Sequence, residues 1–282
     1  MFKRGGKEVN KDSLMKKIIS APYYLWAAMF IVVPLILVVY YAFTDVNGNF
    51  TLDYIKTLGN YQYIFLRSIW YGFLATVISL VIAYPLAYIM AKSSASVQRM
   101  MVMIVMLPMW MNFLIRTYSW MTILEDTGII NSMLSALGLP QVHIINTAGA
   151  VILGMVYNYL PFMILPLYST MVKIDHSLVE AAQDLGGNLY HVLTKVLLPL
   201  SLPGITTGIT MVFVPSCSTF VISRMLGGDS AFMIGDLIDL QFLGNSYNPH
   251  LGSAMSLVLM VLVLLCMSVT NGFADDDSEG LL

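Results

Sequence analysis

Apolar residues run along this chain in long blocks separated by short polar stretches. Six blocks, at about residues 21–43, 68–91, 100–124, 148–171, 200–222 and 252–273, carry almost no charge. At about 1.5 Å of rise per residue, helices of this length cross the roughly 30 Å hydrocarbon core of a bilayer. The pattern predicts an all-α, polytopic membrane protein of six transmembrane helices, read as one domain over 1–282. The first block follows a basic segment at 1–20, as a signal sequence would. It is too long for the roughly 7–15-residue apolar region of a signal peptide, and no small-x-small site follows it, so it reads as an uncleaved span with Pro34 as a tolerated kink. Pro85, Pro161, Pro166, Pro203 and Pro215 interrupt later blocks, and the backbone groups they free must face protein or a water-filled path. Short surface helices are expected at 129–137, closed by Gly138 and Pro140, and near 232–240.

One polar interval, 172–199, departs from the loops around it. Ser177-x-x-Glu180 reads as a capping box, with the hydroxyl capping a helix and the carboxylate reaching back to the Ser177 amide. Leu178, Val179, Ala181, Ala182 and Leu185 then lead into Gly186-Gly187, a natural stop. Leu189, Val192, Leu193, Val196 and Leu197 follow at helical spacing, and Pro199 and Pro203 are expected to end this second piece. The result is a compact pair of short helices with a glycine bend, too polar to span a membrane.

Composition agrees with the pattern. The 282 residues are 58% hydrophobic and 11% charged, against roughly 25% charged in soluble domains, and the mean hydropathy is +0.77. The net charge of −2 matters less than where the charges lie. Ten of the 14 basic residues fall on one side if the N-terminus is inside: Lys3, Arg4, Lys7, Lys11, Lys16, Lys17, Lys92, Arg99, Lys173 and Lys195. The loop 125–147 has none. The positive-inside rule then puts both termini, and the interval 172–199, in the cytoplasm.

Little points to chemistry within the chain. Cys217 and Cys266 lie in apolar runs and read as packing residues, and the four histidines lack metal-ligand spacing. Gly6-Lys7 is not part of a phosphate-binding loop, so ATP, if it powers the protein, is bound with its magnesium by another chain. No triad or intramembrane carboxylate pair suggests an enzyme, and spans almost without acidic residues argue against a proton-relay transporter. Nothing in the charge pattern points to nucleic acid; membrane lipid is the expected surrounding.

The interval 172–199 contains Glu180-Ala181-Ala182, three residues, Gly186, nine residues, then Val196-x-Leu198-Pro199. This resembles the EAA motif of permease subunits of ABC importers, with Val196 where isoleucine is usual. The resemblance implies a type I importer permease fold in a bacterial plasma (inner) membrane. It also implies that Ser177, Glu180, Ala181, Ala182, Gly186, Val196, Leu198 and Pro199 couple to an ABC ATPase dimer, with no cofactor in this chain. The partners it implies are that ATPase, a second permease subunit and an external substrate-binding protein. The physical reading alone leaves a helix pair lying on the lipid surface as the alternative.

Leu107-Pro108-Met109-Trp110 with Leu114-Ile115-Arg116-Thr117-Tyr118, the stretch from Gly154 to Tyr168, and Leu226-Gly227-Gly228 with Ile234-Gly235 and Gln241-Phe242-Leu243 are similar to permeases of spermidine/putrescine importers. The likeness spans roughly residues 23–267. Arg224 departs from it, because a basic residue near the Gly-Gly pair stands badly with a polycation; it reads either as the mark of a subgroup or as a residue facing the binding protein. Candidate path residues are Trp110, Asn112, Tyr157 and Asn158, since aromatic faces and amide oxygens suit ammonium groups. Tyr118 and Trp120 fit an interfacial belt instead. Pro215, Ser216 and Ser218 are a candidate gate, or equally a kinked helix using small residues for close packing. Arg116 is expected to snorkel outward or to pair with Glu125 or Asp126. The same machinery for a metal ion, an oxyanion or another organic cation stays open, as does a secondary transporter.

Overall fold

The structure, a computed structural model, describes residues 20–244 and 246–279. The basic residues Lys3, Arg4, Lys7, Lys11, Lys16 and Lys17, with 1–19 of the expected cytoplasmic segment, lie outside the described residues. Ten helices carry the fold: α1 Ser20–Phe43, α2 Gln62–Lys92, α3 Ala95–Met106, α4 Phe113–Leu124, α5 Ile129–Ala136, α6 Ala148–Met171, α7 His176–Asp184, α8 Tyr190–Ser218, α9 Ile234–Leu243 and α10 Pro249–Glu279. A short helical lead-in, Asp53–Thr57, enters α2.

The centre is a trio, α2, α6 and α8, packed against one another; α10 leans on α8 and holds α1 at the periphery. Small residues set the spacing. A Cβ placed on Gly72 would stand 2.6 Å from the Cys217 sulfur, and one on Gly208 would stand 2.6 Å from the Met163 sulfur. Helices in a bilayer gain no hydrophobic drive from one another, so close backbone approach supplies the packing.

Two prolines are absorbed by the same device. A π-turn, Ala28–Val32, precedes Pro34, and another, Leu193–Leu197, precedes Pro199. A proline ring crowds the carbonyl four residues back and offers it no amide. The wider π-turn moves that carbonyl aside, and the helix carries on. Pro199 therefore does not end the second short helix, as the sequence suggested, and neither does Pro203: α8 runs unbroken from the polar interval to Ser218.

The expected third span is not one helix. The pair Ala95–Trp110 and Phe113–Ala136 bends by 89° at a short break, so five helices are each long and apolar enough to cross a membrane, or six if this bent pair counts as one. Leu107–Trp110 tightens to a 3-10 turn and Met111 is extended. Asn112 restarts the chain by accepting the amides of Leu114 at 2.9 Å and Ile115 at 3.3 Å.

The fifth apolar block also ends early. After Ser218 the backbone extends at Thr219, then forms a π-turn, Ser223–Gly227. Ile222, Leu226, Ala231, Met233 and Ile234 are fully buried, so what the sequence offered as a loop fills the core instead. Arg67 at the start of α2 donates to the carbonyl oxygens of Ser230 and Phe232, and the Asn146 amide donates to Leu226 O at 2.8 Å. The Ile234 amide donates to Ser68 Oγ at 2.8 Å, tying α9 to α2.

Candidate functional site

The cap of the helix pair lies two residues before the position the sequence gave it, at Asp175 rather than Ser177. Asp175, in extended backbone, accepts the Ser177 amide at 3.0 Å and caps α7. The Ser177–Glu180 capping box is thus replaced: the amide that Glu180 was to reach is already bonded to Asp175. Glu180 and Ala181 are exposed, and Ala182 turns inward. It packs with Tyr88 and Ile174 against the buried cluster of Val179, Val192 and Leu197, which roots the pair on the ends of the spans.

The bend is a Schellman turn. Gly186 has φ of +82°, its amide donates to Gln183 O at 2.9 Å, and the Gly187 amide donates to Ala182 O at 2.9 Å. These bonds satisfy the last carbonyls of α7, and only a residue without a Cβ takes that φ without strain. Beyond the rooted face, Leu178, Leu185, Tyr190 and Leu198 are exposed, Leu185 at 90%. Val196 and Pro199 are half-buried where α8 leaves the pair. The outcome is a rigid knob, anchored by one apolar face and presenting a second one outward. Among the described residues no group of three or more His, Cys, Asp or Glu could hold a metal ion.

The candidate path residues do not form one site. Trp110 is 81% exposed at the break in the third block. The Asn112 side-chain oxygen is occupied by its two cap bonds, and so is not offered to a cation. Tyr157 meets the Trp120 ring edge-on at 5.1 Å, so Trp120 belongs to internal packing. Asn158 is buried; its Nδ2 donates to Gly154 O at 2.8 Å and its Oδ1 has no partner. Ser216 is fully buried beside Cys217, which abuts Gly72; Pro215 is half-buried, and the exposed Ser218 donates to Val214 O at 3.1 Å. The stretch is closely packed at Ser216 and Cys217, the latter against α2.

Arg116 does not snorkel and does not pair with Glu125 or Asp126. Its Nη1 donates to Pro108 O at 2.6 Å across the break, and its guanidinium lies 5.8 Å from the Tyr157 ring and 5.9 Å from the Phe113 ring. The Pro108 carbonyl also accepts the Met111 amide at 3.2 Å and lies at the C-terminal end of the first half, where the helix dipole favours a cation.

Arg224 is accounted for by two carboxylates that the sequence reading passed over. Its Nη2 donates to Asp239 Oδ2 at 2.7 Å, and its Nε lies 3.8 Å from Asp236 Oδ1. Asp236 is buried, and its Oδ2 accepts the Met233 amide at 2.9 Å. Burial pushes its carboxyl above the ordinary range, against the lowering effect of the Met233 amide, the Ser223 hydroxyl and Arg224. The spacing of Asp236 and Asp239, three apart on a short amphipathic helix after a lone Arg, was the available signal. Asp239 also lines a cavity of about 640 Å³ with Ser218, Phe220 and Phe242.

Comparison with known proteins places this arrangement. Residues 83–275 match the family described as binding-protein-dependent transport system inner membrane component. The chain is 38% identical over 268 residues to the spermidine/putrescine transport system permease protein PotB of Haemophilus influenzae, covering 92% of this chain and 93% of that one. It is 33% identical over 254 residues to the protein of the same name from Escherichia coli (strain K12), covering 86% and 92%. A crystal structure of a bacterial ABC transporter involved in the import of the acidic polysaccharide alginate shares the fold, with a TM-score of 0.76, 21% identity and coverage of 96% and 98%.

Proposed function

Because the chain belongs to the inner membrane components of binding-protein-dependent transport systems, and is thus a transport subunit of a multi-pass inner-membrane kind, we propose that it is the permease of an ATP-driven importer of spermidine and putrescine. The observation that carries the coupling half of this reading is the knob: a rooted helix pair with Leu178, Leu185 and Tyr190 turned outward. Both termini and the knob face the cytoplasm, where an ABC ATPase dimer binds ATP and magnesium and grips Ser177, Glu180, Ala181, Gly186 and Leu198, while Ala182, Val196 and Pro199 seat the knob on the spans. The continuous α8 turns knob movement directly into movement of the span that follows. A second, related permease completes the path, and an external binding protein delivers the cargo.

The cargo half is supported by the relatives named above and by charge. On the outer side of this topology the basic residues are engaged. Arg67 donates to carbonyls, Arg224 pairs with Asp239, and Lys56 lies 3.8 Å from Asp53. Asp45, Asp53, Glu125, Asp126, Asp229 and Asp239 outnumber them. A negative outer field draws polycations and repels oxyanions. The test is uptake of labelled spermidine by cells stripped of their own polyamine importers and supplied with this chain and its partner subunits. Uptake that needs this chain and is competed by putrescine supports the reading, and uptake indifferent to it refutes it.

A further inference from the structure

The structure assigns to Asp239 a role in specificity: its carboxylate cancels the Arg224 guanidinium at the cavity between α8, α9 and α10, so that a cationic cargo is not repelled there. The inference rests on the polyamine reading above.

The geometry has three parts. Arg224 rides on the π-turn that follows α8, and its side chain is 47% exposed. Its guanidinium lies 6.0 Å from the Phe220 ring, and Phe220 is part of the cavity wall together with Ser218, Phe242 and Asp239. One carboxylate oxygen of Asp239 takes the guanidinium at 2.7 Å, while Asp236, buried and bonded to the Met233 amide, stands back at 3.8 Å. Without Asp239, a half-exposed positive charge would border a cavity whose wall is mainly aliphatic, with Phe220 and Phe242 as its aromatic faces and Ser218 and Ser256 as its hydroxyls; methylene chains suit the first and ammonium groups the second. Asp236 cannot take over, because burial holds back its ionisation and its other oxygen caps α9. Arg67 is turned to the Ser230 and Phe232 carbonyl oxygens and is not part of the cavity wall.

Cancelling a charge and latching two elements together predict different mutant sets. The assay uses vesicles carrying the complete transport complex, with binding protein and cargo outside and ATP inside. D239N is expected to slow uptake about tenfold at low ionic strength, more for triply charged spermidine than for doubly charged putrescine, and added salt should relieve the loss. R224Q should import at least as fast as wild type, and the double variant D239N/R224Q should recover. D239E, which keeps the charge, should stay near wild type. Loss in R224Q as deep as in D239N, with no recovery in the double variant and no dependence on cargo charge or salt, would overturn the proposal in favour of a mechanical latch. R224Q serves as an independent arm should D239N fail to fold. Wild-type vesicles that import no polyamine sink the cargo reading and this proposal with it, whereas the mutant pattern sinks the proposal alone.

Discussion

Arg116 Nη1 donates to the backbone oxygen of Pro108 at 2.6 Å, closing the 89° break in the third apolar block with a single side chain. The bond crosses from one helical half to the other, and the same guanidinium rests against the Tyr157 ring of α6 at 5.8 Å.

Arg116→Ala removes a charge-assisted bond, worth about 1.5–3 kcal/mol, and leaves Pro108 O with the Met111 amide alone. The purified protein should lose stability by about that amount, read as a lower melting temperature in detergent. Arg116→Lys should recover part of it, since an ammonium can still reach one carbonyl but cannot lie flat on Tyr157.

Gly72 and Cys217 touch where α2 crosses α8. Gly72→Ala drives a methyl to 2.6 Å from the sulfur and should cost about 1–3 kcal/mol of stability. Cys217→Ala added to that variant removes the sulfur and should return most of the loss. A melting series on the two single variants and the double one measures the coupling.

Asp236 makes a pH prediction. Burial raises its carboxyl above the ordinary 3.8 in the folded protein. The sign follows: the folded state favours the protonated form, so this contribution is complete below the unfolded pKa and is lost as pH rises through the raised folded value. Asp236→Asn keeps an oxygen for the Met233 amide and removes the charge. Melting temperature between about pH 4 and pH 8 should therefore decline less steeply in the variant than in wild type.

The apolar blocks, the Gly186 bend and the surface helix at Ile129–Ala136 were legible because each depends on local spacing or on a residue's own φ. Three features were not. The break at Met111–Asn112 sits inside a continuous apolar run, where hydropathy carries no sign of a turn, and only Asn112 as a cap hints at it. The burial of Ile222 and Leu226 depends on partners far away in sequence, such as Gly154 and Val151. The continuation of α8 through Pro199 depends on a π-turn that composition does not announce. For the candidate site, the motif marked the knob, while its cap fell on Asp175, whose carboxylate, in extended backbone two residues earlier, accepts the Ser177 amide. The path residues were chosen by chemical type, and local bonding or packing engages several of them: Asn112 in a cap, Ser216 in the interior, Tyr157 against Trp120.

If the outward face of the knob binds an ATPase, Leu185 is the side chain whose replacement shows it most directly. Its side chain is 90% exposed, so Leu185→Asp should change stability by no more than about 0.5 kcal/mol. The account predicts that the variant inserts and melts like wild type, yet no longer co-purifies with the ATPase and no longer supports uptake. A Leu185→Asp protein that retains the ATPase and transports at the wild-type rate would contradict it.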